Sequence, residues 1–212
     1  VLIPPVPDRS SFKLAVLVSG RGSNLQAIIN AVERRELQAT IALVASNRAE
    51  APALDRAKAH GIDTVFLDPK LHSGRDAYDR ALADLLRSRA IDLICLAGFM
   101  RILSREFVRA FAGKIINVHP SLLPAFPGLD AQKQALAYGA KCSGCTVHFV
   151  DEGVDSGPII LQAAVPVQDG DDEDSLSRRI LEQEHILYPQ AIQLILENRL
   201  TVAGRRVLRK HD

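Results

Sequence analysis

KLAVLVSGRGSNLQAIINAVERRE, residues 13–36, decides the architecture. Its first seven residues form an apolar, valine- and leucine-rich run of strand length that stops at Gly20. Beyond the glycines, Leu25, Ile28, Ile29 and Val32 recur at helical spacing over 24–36. A strand, a glycine turn and a helix follow one another within two dozen residues, the opening unit of an alternating α/β chain.

The alternation continues outward. Strands are predicted at 40–46, 63–67, 93–98 and 114–119, with helices at 52–60, closed by Gly61, and at 73–90, where Ser73 and Asp76 resemble a capping box. Ser104 caps a further helix that ends near Gly113. LICLAG (93–98) is apolar throughout, and such strands belong in a parallel sheet covered on both faces. The second half changes character. A helix over 130–138 precedes TVHFV (146–150) and GPIILQAAVPV (157–167), joined by a short acidic loop, which predicts an antiparallel edge. A long helix over 174–197 should kink or break at Pro189, and LTVAGRRVL (200–208) reads as a hairpin around Ala203 and Gly204. The expected fold is an open, mainly parallel Rossmann-like sheet with helices on both faces and an antiparallel edge in the C-terminal half. Residues 1–11, with two adjacent prolines, are expected to be a loose extension, and 12–212 a single domain.

Composition excludes several functions. Lys and Arg number 26 against 25 for Asp and Glu, so no bulk charge draws the chain to nucleic acid or to an anionic membrane. No apolar run reaches membrane-spanning length and no basic leader opens the chain, so a cytoplasmic location is expected. Cys95, Cys142 and Cys145 are too few for a disulfide framework. Cys142 and Cys145 form one C-x-x-C, which His148 could join as a metal ligand; the plainer reading is two thiols in a turn before a strand. No metal is expected.

In open α/β sheets, ligands bind outside the carboxyl ends of the strands. SGRGSN, GFMRIL and NVH all stand at such ends. The glycine loop places free amides and a helix dipole where an anion binds, yet it lacks the Lys-Ser/Thr of a triphosphate loop and the third glycine of a dinucleotide fingerprint. It therefore reads as a monophosphate cradle, or as a turn needed only for packing. Asn117 and His119, two apart on a strand, face one side together. An amide can donate to a developing oxyanion and an imidazole can move a proton, a pairing suited to attack on a carbonyl, although a strand-end histidine is often only structural. No G-x-S-x-G or other nucleophile setting is present, which points to direct transfer. Asp155, in the glycine-rich loop DEGVDSG, is either a solvated turn residue or a partner for His119.

SGRGSNL, LAGFMRIL, INVHPSLLPAFPG, TVHFVDEGVDSGPIILQ and QEHILYP, in this order over 13–208, resemble the folate-dependent glycinamide ribonucleotide formyltransferases of purine biosynthesis. The resemblance implies a formyltransferase fold, 10-formyltetrahydrofolate as cosubstrate and glycinamide ribonucleotide as formyl acceptor. It assigns catalysis to Asn117, His119 and Asp155, and the substrate phosphate to Gly22, Ser23 and Asn24. Glu184 and Pro120 would meet the rest of that substrate. Met100, Arg101, Ile102 and Leu103 would border the folate ring, with Asp151, Glu152, Gly153 and Val154 opposite, Asn117 between them and Arg75 nearby. Leu181 stands where many members place a polar residue, and Asp130 and Gln132 replace histidines seen in some. No nucleic-acid or membrane partner is implied, and the expected state is a monomer or homodimer. The alternatives are a 10-formyltetrahydrofolate hydrolase, which the resemblance would give a regulatory domain before the first strand, another folate-dependent formyltransferase, and a non-catalytic mononucleotide-binding module.

Overall fold

Alternate residues of the first strand feed two separate cores. Leu14, Val16 and Val18 pack on one face of the sheet, and Ala15 and Leu17 on the other, all fully buried. In the computed structural model, which describes residues 12–210, this strand is β1 (Lys13–Val18). The elements that follow are α1 (Ser23–Glu33), β2 (Thr40–Ser46), α2 (Pro52–Ala59), β3 (Thr64–Phe66), α3 (Arg75–Ser88), β4 (Leu93–Leu96), α4 (Arg105–Ala110) and β5 (Ile115–His119). The second half contains α5 (Ala131–Tyr138), β6 (Cys142–Phe149), β7 (Ile159–Pro166), α6 (Glu173–Leu196), β8 (Leu200–Ala203) and β9 (Arg206–Arg209). The expectation of a loose extension falls on residues outside those described.

The strands form one nine-stranded sheet in the order β3-β2-β1-β4-β5-β6-β7-β9-β8. β3 to β5 pair in parallel, whereas β6 runs antiparallel to both β5 and β7. α1, α2 and α6 cover one face through Ile28, Leu54 and Tyr188, and α3 and α4 cover the other through Leu82 and Phe107. Each such side chain, removed from water, contributes about 1.5–3 kcal/mol before entropy is set against it.

The predicted hairpin near the C-terminus forms and extends the sheet, so β6 and β7 are internal and the hairpin supplies the antiparallel edge. β9 joins β7 in parallel through the single register pair Ile159 and Arg206, and β8 is outermost. Three local expectations are corrected. Gly74, at φ 130, precedes α3, and no side chain caps that helix, so Ser73 begins no capping box. α6 runs unbroken through Pro189, because Tyr188, Ala191, Ile192 and Ile195 are buried on both sides of it and packing outweighs one lost hydrogen bond. Cys142 and Cys145 lie inside β6, paired with Pro166 and Ala163, rather than in a turn before it. Three residues apart on a strand they face opposite ways, Cys142 exposed and Cys145 buried, and both are free thiols.

Candidate active site

Polar residues gather where β1, β4 and β5 end. Gly22 precedes α1 with φ 74, a left-handed conformation, and a Cβ there would lie 2.6 Å from the Ala53 Cβ. Only glycine fits that close approach of α2. The Ala53 amide in turn donates to the Gly20 carbonyl (3.1 Å), bracing the loop. No side chain caps α1, so its first amides and its dipole are left to meet an anion.

Beneath this loop Asn24 is buried, and its Nδ2 donates to Glu184 Oε2 at 2.6 Å. The two residues assigned separately to the substrate are thus joined to each other, and Asn24 faces the loop through its backbone. Burial pushes the Glu184 carboxyl up to about 7, while the hydrogen bond from Asn24 pulls it down. Ser23 also borders a polar groove of about 810 Å³ between α1 and α6, which includes none of Asn117, His119 and Asp155.

Asn117 and His119 project from β5, and Asp155 reaches them from the loop after β6. His119 is buried, with Nε2 2.9 Å from the Phe126 carbonyl oxygen and Nδ1 3.3 Å from Asp155 Oδ2. Both ring nitrogens face oxygen atoms. Asn117 Nδ2 lies 3.4 Å from Asp155 Oδ1 and 3.3 Å from His148 Nε2, contacts long enough to leave its N–H groups available. The Gly128 amide donates to Asp155 Oδ2 at 2.8 Å. Burial raises the Asp155 pKa, but His148, the Gly128 amide and His119 outweigh it and hold the carboxylate below its ordinary value. Pro120 follows directly, half-buried at the start of the proline loop.

His148 is the member that sequence reasoning missed. It opposes Asn117 in the antiparallel register, its Nδ1 lies 2.8 Å from the Phe149 carbonyl oxygen, and its Nε2 is 3.6 Å from Asp155 Oδ1. It therefore belongs to the acid cluster and not to the cysteines. Its spacing of two from Thr146 marked it as facing the same side, but only the register shows that this side is Asn117's. Among the described residues no group of three or more His, Cys, Asp or Glu is arranged to hold a metal.

The segments assigned to the folate present apolar side chains to solvent. Met100 is 62% exposed, Ile102 64% and Val154 57%, whereas Leu103 turns back against the core. Arg101 stacks on Tyr78, its guanidinium 4.2 Å from the ring centre. Asp151 Oδ1 accepts from the Gly153 amide and from Ser156 Oγ (3.1 and 2.6 Å), folding the loop back toward Asp155. Glu152 turns away to meet Arg109 at 2.6 and 3.1 Å. Arg75, the first residue of α3, is exposed, and among the described residues its charged partner is its neighbour Asp76 at 3.9 Å.

The sequence profile of the formyl transferase family matches residues 12–192. The chain is similar to the phosphoribosylglycinamide formyltransferase of Escherichia coli, 48% identical over 187 residues that make up 88% of each protein. It is also similar to the trifunctional purine biosynthetic protein adenosine-3 of Drosophila melanogaster, 51% identical over 87% of this chain; the chain spans only 14% of that protein's length. Among solved structures, glycinamide ribonucleotide transformylase 1 from Symbiobacterium toebii superposes with a TM-score of 0.93 at 51% identity, covering 96% of this chain and 95% of its own.

Proposed function

The chain belongs to the formyl transferase family, and from that premise we propose that it transfers the formyl group of 10-formyltetrahydrofolate to the amine of glycinamide ribonucleotide, in the cytoplasm, as a step of purine biosynthesis. The observation that carries this reading is the cluster in which Asn117, His119 and Asp155 meet within 3.4 Å, beside β1's anion-accepting loop. In this reading Gly22, Ser23 and Asn24 hold the substrate phosphate through backbone amides. Met100, Ile102 and Val154 cover the flat ring of the folate, which explains large apolar side chains left in water.

The uncharged amine attacks the formyl carbon, and negative charge develops on the formyl oxygen. Asn117 donates to that oxygen. His119 shifts its Nε2–H from the Phe126 carbonyl toward it, while Nδ1 stays on Asp155. Asp155, kept ionised by its neighbours, takes the proton released by the attacking nitrogen and returns it to the departing folate nitrogen. The residues need no metal for these steps. Purified protein incubated with both substrates should yield tetrahydrofolate and formylated ribonucleotide in equal amounts. Release of free formate at a similar rate without the ribonucleotide would instead establish the hydrolase.

A further inference from the structure

The connection between β4 and α4, residues 97–104, is held at its two ends by buried polar side chains that lie outside the acid cluster. At the first end Ser19, 3% exposed, donates its amide to the Gly98 carbonyl (3.1 Å), and its Oγ accepts from the Met100 amide (2.8 Å). The same hydroxyl has one proton to give, and it goes to Asn47 Oδ1 at 2.6 Å. At the other end Asp79 of α3, 1% exposed, accepts from the Ser104 amide at 2.5 Å. Its second oxygen lies 3.8 Å from Arg101 Nε, an ion-pair distance, and neither atom has a hydrogen-bond partner among the described residues. Between the anchors Phe99 and Leu103 face the core, and Met100 and Ile102 face water.

A buried carboxylate is costly unless something pairs with it. Asp79 touches none of Asn117, His119, His148 and Asp155 among its polar contacts. What it does touch is both residues that set the course of the segment, Arg101 and Ser104. Fixing a chain segment before a ligand arrives removes its ordering cost from the binding step. Ser19 has a second position of influence, because it is also the residue from which the glycine loop departs.

We infer that Asp79 and Ser19 are positioning residues for the two substrates: Asp79 holds segment 97–104 in the form that receives the folate ring, and Ser19 ties that segment to the phosphate loop. The inference rests on the reading of this face as the folate side. Asp79→Asn keeps an oxygen for the Ser104 amide and removes the charge facing Arg101. The dissociation constant of tetrahydrofolate, by calorimetry, and the KM for 10-formyltetrahydrofolate should each rise by roughly 10-fold, with kcat and the ribonucleotide KM within about 2-fold. Arg101→Gln should produce the same shift, and the double variant should be little worse than either, as for residues acting through one contact. Ser19→Ala should raise both KM values. Tetrahydrofolate affinity unchanged in Asp79→Asn and in Arg101→Gln, or an equal rise of both KM values in Asp79→Asn, overturns the inference. A lowered Tm with unchanged affinity overturns it too, since that is a purely structural role. Wild-type protein that binds no tetrahydrofolate overturns instead the functional reading beneath it.

Discussion

His119 is caught between two oxygens, and that single fact orders the chemistry around it. A ring flanked by the Phe126 carbonyl and Asp155 has both its nitrogens engaged, so removal of the Asp155 partner should disable the same function as removal of the ring. We expect His119→Ala and Asp155→Asn each to lower kcat by on the order of 10²–10⁴, the usual scale of acid–base assistance, with the double variant little worse than the poorer single one. Additive losses would show that the two act apart. Glu184 gives a separate, measurable signature. Its folded pKa is raised, to about 7 from 4.5, so the folded state holds a proton the unfolded state has lost. Stability from this group is intact below pH 4.5 and declines as pH rises toward 7, by on the order of 3 kcal/mol. Asp155 works in the opposite sense and lower down: its folded value lies below 3.8, so its contribution is present above 3.8 and is lost as pH falls. Glu184→Gln should flatten the decline of Tm between pH 4.5 and 7; an unchanged slope would mean that Glu184 is not its source. Asn117 and His119 were legible because a strand's period of two places them together. His148 was not, since its partner lies across a register that no local pattern encodes.

At the scale of elements, periodicity recovered the alternation of strands and helices and lost only the boundaries that packing decides. Ser73 has the chemistry of a cap, yet Gly74 reaches a backbone conformation that starts α3 later. Pro189 has the chemistry of a breaker, yet α6 is held by what it buries. The placement of the C-x-x-C inside β6 has the clearest consequence. Cys142 is exposed and Cys145 is wholly buried among apolar side chains, with its thiol pushed up to about 12 by that burial. Two thiols in a turn would both tolerate serine. On the strand, Cys142→Ser should leave Tm nearly unaltered, whereas Cys145→Ser should cost about 1–3 kcal/mol by placing a hydroxyl in the core. Equal melting temperatures for the two variants would contradict the strand assignment.

Across the whole molecule, the sheet changes direction where β5 meets β6, and the polar cluster stands at that seam. One side chain braces it from behind. Tyr188 of α6, fully buried, donates its hydroxyl to the Leu96 carbonyl (2.9 Å), with the Ile116 carbonyl at 3.2 Å, and so clasps the end of β4 to the neighbouring strand β5. Tyr188→Phe leaves those carbonyls short of a donor and should cost about 1–3 kcal/mol, a fall in Tm of a few degrees by calorimetry. An unshifted Tm would show that the clasp carries no weight. None of this could be read from the chain, because both carbonyls are main-chain atoms far away in sequence. The bond between Asn24 and Glu184 spans a still greater separation, 160 residues. At a ribosomal pace of roughly 5–20 residues per second, Asn24 is made about 8–30 s before the residue that will hold it. Throughout that interval Asn24 has no buried partner, so the contact that ties α1 to α6 can form only after every strand from β1 to β7 has been made.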